Sequence, residues 1–124
     1  MIKLVFCLRR REDLSREEFQ RYWREHHAPL VQQHRDALHL RRYVQVHTLP
    51  IGASAALAAS RAVEDDEYDG VAELWWDSLE DLAAGATSEA GRRAGAELLD
   101  DERRFIDLAR SPIFLAEEHL VVDG

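Results

Sequence analysis

His27 stands two residues before Pro29, where the pattern of the chain changes. Phe19, Tyr22, Trp23, His26 and Leu30 recur at steps of three and four and predict one helical stripe. Pro29 has no N–H for the Glu25 carbonyl and biases Ala28 away from helical angles, so the stripe is interrupted around His27. A polar side chain at such a break is aimed by the fold rather than by the helix. An imidazole that titrates near ~6.5 suits proton transfer at neutral pH. The structural alternative is a helix-end histidine bonded to the last carbonyls. Tyr22 and Trp23 are core aromatics with bonded polar tips, or walls for an aromatic ligand.

A second set of groups falls on two strand-like stretches. Tyr43, Gln45 and His47 share one face of the first, and Glu73 and Trp75 share one face of the second. If both stretches lie in one sheet that a partner covers, burial raises the pKa of Glu73 and a neighbouring His47 keeps its proton. His47 and Glu73 then form an acid/base pair able to enolise or deprotonate a phenolic substrate, with Tyr43 and Trp75 shaping the site. The alternative is an exposed polar sheet face, or hydrogen bonds at an interface.

Other chemistries find little support. None of the six histidines has the His-x-x-x-His or His-x-His spacing of a compact metal site, so no metal is expected. No glycine-rich loop follows a strand, and no nucleotide cofactor is expected. Ser15 reads as a helix cap, and Ser111 lacks the glycine-flanked turn of a serine nucleophile. The acidic runs at 64–67 and 100–102 read as solvated faces. With 24 acidic and 16 basic residues the net charge is −8, which argues against nucleic acid and anionic membranes. The single cysteine, Cys7, excludes an intrachain disulfide and fits a reducing compartment. No apolar run is long enough to span a bilayer, and the basic run Arg9-Arg10-Arg11 follows the first apolar run where a signal peptide needs it ahead. A cytoplasmic protein with one domain over residues 1–124 is the expectation.

The elements that position these groups follow from alternation and caps. Residues 2–8, 38–49, 71–76 and 113–122 alternate as strands. Ser15 with Glu18 is a capping box for the helix carrying the aromatic stripe. Residues 50–67 form a connection longer than the usual ~4–6 residues, with weak helical propensity at 53–62. Asp69-Gly70 reads as a turn. Asp77 or Ser78 caps the next helix, and a further helix runs from about 88 to 109, where Asp100-Asp101 is a point of interruption. The order β-α-β-(loop)-β-α-α-β is that of a ferredoxin-like α+β domain, an antiparallel four-stranded sheet with helices on one face. Val5, Val71 and Trp75 fall on the other face, and a two-fold partner would cover them.

The motif Phe19-x-x-Tyr22-Trp23-x-x-x-His27-x-Pro29-Leu30 resembles the signature of the EthD family, small proteins of the dimeric α+β-barrel superfamily. The segment Tyr68-Asp69-Gly70-Val71-Ala72-Glu73-Leu74-Trp75-Trp76 and the closing Glu117-Glu118-His119 are similar to that family too, so the likeness covers nearly the whole chain. The resemblance implies a homodimeric α+β barrel and maps the family's motif histidine onto His27 rather than His26. It further implies a cofactor-independent tailoring or degradative enzyme (a monooxygenase-like oxidoreductase, a cyclase or a decarboxylase) acting on a small apolar, aromatic or polyketide-like molecule. Equally open are a dimeric binding protein serving a partner oxygenase and a structural dimer with a filled core.

Overall fold

The computed structural model describes residues 1–124. Alternating runs form β1 (Ile2–Leu8) and β3 (Gly70–Trp76), which pair antiparallel along their whole lengths, Ile2 opposite Trp76 and Leu8 opposite Gly70. β2 (Arg42–His47) and β4 (Ile113–Ala116) flank them, giving an antiparallel sheet of order β2-β3-β1-β4. This is the ferredoxin-like α+β arrangement the sequence predicts. Directly opposed residues share a face. Leu4, Phe6, Leu8, Ala72, Leu74, Tyr43, Gln45 and His47 therefore face the helices. Lys3, Val5, Cys7, Val71, Glu73, Trp75, Arg42, Val44 and Val46 lie on the outer face. No helix is long and apolar enough to cross a membrane.

Two strands are shorter than the alternation predicts. β2 starts at Arg42 because residues 34–39 turn, with His39 at φ 59° and the Arg35 guanidinium donating to the carbonyls of Leu40 and Arg41. β4 stops at Ala116, and Glu118 reaches across to accept from the Trp75 indole N–H.

The first helical region keeps its predicted start. α1 (Arg16–Tyr22) has the capping box in place, with Glu18 N–H donating to Ser15 Oγ at 3.1 Å and Ser15 N–H donating to Glu18 Oε1 at 3.0 Å. Ser15→Ala is expected to cost about 1 kcal/mol, read as a lower urea midpoint with an unchanged slope. The break around His27 is a π-helical turn, Trp23–His27, in which Ala28 N–H donates to the Trp23 carbonyl five residues back. α2 (Ala28–Gln33) follows directly, and Pro29 sits in its first turn, where a missing N–H costs little.

The turn changes which residues point inward. In a regular α-helix a step of four residues overshoots a full turn by about 40°, so three such steps leave the face. The wider π turn absorbs the excess, and Phe19, Trp23, His27 and Val31 are all buried. His26, expected on the stripe, is exposed and stacks on Tyr22 with ring centroids 4.9 Å apart.

Phe19 and Trp23 pack with Leu8, Ala72, Phe105 and Ile106, while Val31, Leu40, Trp76 and Leu98 form a second cluster that Tyr43 joins to the first. Gly70 is not the turn residue its sequence context predicts. It opens β3, and a Cβ there would stand 2.5 Å from the Trp23 ring, so the residue is small to let Trp23 seat against the sheet.

Residues 48–69 cross from β2 to β3 and carry α3 (Ala55–Ser60). Asp69 anchors the far end of this crossing. It accepts from Arg10 N–H at 2.8 Å, the Arg10 guanidinium at 2.7 Å and Arg16 Nε at 3.0 Å. Glu67, read as part of a solvated run, pairs with Arg16 at 2.8 Å.

α4 (Leu79–Thr87) and α5 (Glu89–Glu102) complete the helical layer, capped by Ser78 and Ser88. α5 ends seven residues before the predicted 109, in a turn that drives Phe105 and Ile106 into the core.

Candidate functional site

His27 comes from the π turn and Asp101 from the last turn of α5. His27 Nδ1 lies 2.8 Å from Asp101 Oδ2. The other carboxylate oxygen, Oδ1, accepts the Tyr22 hydroxyl at 2.5 Å. Asp101 thus joins the two motif side chains that are nearest to chemistry. The His27 ring packs against Phe105 with centroids 5.1 Å apart and is 5% exposed. Its Nε2 has no protein partner and keeps a contact with solvent, since no fully buried polar atom is left unbonded.

Burial lowers the pKa of His27, and the Asp101 carboxylate works against that shift. The ring is therefore neutral at pH 7, with its proton on Nδ1 facing the carboxylate. That leaves an Nε2 lone pair facing outward, the arrangement of an oriented general base. Burial, then Asp101, raises the pKa of Tyr22 and keeps it a donor.

The second predicted set does not assemble. His47 is opposite Gly70, and Glu73 is opposite Val44, so His47 and Glu73 lie on opposite faces of the sheet. Tyr43, Gln45 and His47 instead join Trp23 on the helical side. Gln45 Nε2 donates to the Trp23 carbonyl at 3.0 Å and to the Tyr43 hydroxyl at 2.9 Å, and its Oε1 lies 2.8 Å from His47 Nε2. Donation to a carbonyl fixes the amide orientation, so His47 Nε2 carries a proton. The His47 ring stacks on Trp23 at 4.5 Å, and burial lowers its pKa. Burial pushes Tyr43 up to about 12.

On the outer face Glu73 pairs with Lys3 at 2.6 Å. Trp75 has Lys3 at 4.8 Å and Arg42 at 4.7 Å from its ring centre and donates to Glu118 at 2.5 Å. Its ring is occupied by cations rather than free to wall a pocket.

Sequence reasoning missed Asp101 and Glu102, which it placed on a solvated face. Asp101 falls on the buried stripe of α5, at the helical spacing of Ala94, Leu98 and Phe105. A carboxylate at an apolar-stripe position is the signal that marks it. Glu102 is half-buried, and its pKa is pushed up to about 7 by burial and by the charge of Asp101.

The main surface clefts lie elsewhere. One of about 700 Å³ lies between the 48–69 crossing and Arg9, Arg10 and Arg16, and one of about 670 Å³ adjoins Arg11 and Asp107. Neither is walled by Tyr22, His27 or Glu73.

The profile of the EthD domain matches residues 11–109, which takes in the His27 motif, β2, β3 and Asp101. The chain belongs to the EthD family. No curated protein matches it. Among solved structures, the crystal structure of an EthD family protein from Bacillus halodurans is 18% identical, covering 96% of this chain and 99% of that one with a TM-score of 0.63. An EthD-like protein from Ralstonia eutropha is 19% identical, covering 94% and 89% with a TM-score of 0.61. HapK from Hahella chejuensis is 10% identical, covering 100% and 98% with a TM-score of 0.60. At these identities the likeness is one of fold. Within the EthD fold, the geometry of this chain adds the Tyr22–Asp101–His27 linkage, which brings the π turn and α5 together at one polar point.

Proposed function

We propose that this EthD protein is a homodimer of one EthD-like domain over residues 1–124. In it His27, held by Asp101, takes a proton from a small, largely apolar or aromatic molecule without a cofactor. The observation that carries the reading is the free Nε2 of a buried His27 whose Nδ1 is bonded to a carboxylate. The substrate step belongs to tailoring or degradative chemistry: enolisation, cyclisation, decarboxylation or deprotonation of a phenol. An oxidative, monooxygenase-like outcome requires dioxygen as a co-reactant and follows the proton transfer. A reducing, cytoplasmic setting suits the single free cysteine.

The dimer reading is supported by the outer sheet face. Val5, Val44, Val46, Val71 and Phe114 are apolar there, and Lys3, Arg42, Glu73 and Glu118 neutralise one another. Such a face tolerates burial against a second copy. A likeness in fold to a dimeric ferredoxin-like protein from Thermobifida fusca, TM-score 0.56 at 14% identity, agrees with it.

A second reading, a binding or accessory protein for a partner oxygenase, is favoured by the lining of the main clefts, which does not include His27. One experiment separates the readings. Deuterium uptake from solvent into 2-tetralone, an enolisable aromatic ketone, is followed by NMR, with sedimentation run on the same sample. The expected result is a particle of twice the 14.3 kDa chain mass that accelerates exchange above buffer. The rate should fall as pH drops through the lowered pKa of His27, where the base becomes protonated. Binding without exchange supports the accessory reading, and a monomer that does neither overturns both.

A further inference from the structure

The cleft between the 48–69 crossing and the end of β1 holds a charge that the fold does not neutralise. At its base Asp69 pairs with Arg10 at 2.7 Å and with Arg16 at 3.0 Å, and Glu67 pairs with Arg16 at 2.8 Å, so these four side chains balance one another. Arg9, half-buried in the same cleft, is the cation left over. Its guanidinium donates to the Asp66 carbonyl at 3.1 Å and lies 4.3 Å from the centre of the Tyr68 ring. Neither partner is a carboxylate, and its other N–H groups have no acceptor in the protein. Carbonyl and ring together fix the plane of the guanidinium, so a ligand would meet a donor that is already ordered. The opposite wall is apolar. Ala55 and Ala58 lie one turn apart on α3 and offer the cleft only methyl groups. Ile51 and Val63 flank that helix and are 75% and 56% exposed. These short side chains leave a space of about 700 Å³, a size that suits a small molecule.

We propose that this cleft binds a small monocarboxylate with an apolar or aromatic body, its carboxylate on Arg9 and its body against Ala55, Ala58 and Val63. An oriented guanidinium accepts a carboxylate through two parallel hydrogen bonds. Covering the methyl wall and the exposed Ile51 and Val63 supplies the apolar part of the binding. Arg110 adds a second cation, since it stands 3.8 Å from Asp107, outside hydrogen-bond distance. Glu12, Asp65 and Asp66 also line the cleft, and all three are exposed. Water and salt screen their repulsion of a single negative charge, whereas a polyanion meets it several times over. The arrangement therefore selects one charge on an apolar body over a compact or multiply charged anion. The site is separate from the one at His27, which does not line this cleft, and it stands whether or not His27 acts as a base.

Titration of the full chain with 2-naphthoate, followed by amide NMR shifts, tests this. Wild type should bind saturably, with the shifts concentrated at residues 9–16 and 51–58 and absent from Tyr22, His27 and Asp101. The neutral analogue 2-naphthylmethanol should bind at least about 10-fold more weakly, a comparison that needs no variant. Arg9→Met keeps an apolar stem and removes the charge, and it should weaken naphthoate binding by about 10- to 100-fold. Ala55→Trp, at an exposed position of α3, should block the cleft and abolish the shifts at residues 9–16. No saturable binding by wild type overturns the proposal. So do shifts centred on His27, naphthoate binding unchanged in Arg9→Met, or the alcohol binding as tightly as the acid. Inorganic phosphate displacing naphthoate at equal concentration overturns the preference for an apolar body.

Discussion

Replacing His27 by glutamine is expected to lower proton exchange by about 100- to 10,000-fold, and Asp101→Asn by nearly as much, with the fold retained in both. Glutamine fills a similar volume but has no titrating nitrogen. Asp101→Asn acts at one remove. The Asp101 carboxylate accepts two donors, the Tyr22 hydroxyl on Oδ1 and His27 on Oδ2. An asparagine offers one acceptor oxygen and one NH₂ group. If the NH₂ faces His27, Nδ1 must accept and the proton moves to Nε2, so the outward nitrogen becomes a donor. If the oxygen faces His27, Tyr22 loses its acceptor. The charge is lost either way, and with burial alone acting on it the pKa of His27 falls further below its ordinary value. Nitrogen-15 shifts of His27 read the tautomer without any ligand present. An Asp101→Asn protein with the wild-type tautomer and the wild-type rate would show that Asp101 does not orient the base.

The strands that hold this site were legible where both faces were constrained. β1 and β3 pair with neighbours on both sides, and their alternation marks their ends to within a residue. β2 and β4 are edges, trimmed by local contacts that alternation does not encode, as when Arg35 holds the carbonyls of residues 40 and 41. The face shared by two strands is a question of parity. Both faces of β3 carry large apolar groups, with Trp75 beside Glu73 on one and Leu74 and Trp76 on the other. Nothing in the sequence says whether His47 meets Gly70 or Val71, and a shift of one residue changes every neighbour. The break at His27 was legible because Pro29 forces it. That it takes the form of a π turn, turning His27 inward and His26 out, depends on Phe19 and Val31 both needing the same core.

Asp69→Ala should destabilise the fold by about 3–5 kcal/mol, measured by urea unfolding, whereas Glu67→Ala should cost no more than about 1 kcal/mol. The side chains of Asp69 and Arg16 are 5% and 9% exposed, and that of Glu67 is 34% exposed. Removing Asp69 strands the Arg10 backbone N–H and leaves the buried Arg16 with Glu67 and the Leu49 carbonyl. Burial by itself would raise the pKa of Asp69, but the Arg10 N–H and the guanidinium groups of Arg16 and Arg10 outweigh it and hold the pKa below the usual value. A carboxylate held low in the folded state stabilises the fold above its unfolded pKa, near ~3.9, and loses that contribution as pH falls toward the folded value. Wild-type stability should therefore drop on acidification more steeply than that of Asp69→Asn. Arg16 is the first residue of α1, so the same contact ties the start of the helical stripe to the start of β3. Equal losses for Asp69→Ala and Glu67→Ala would mean that the stripe is held by its aromatic packing alone.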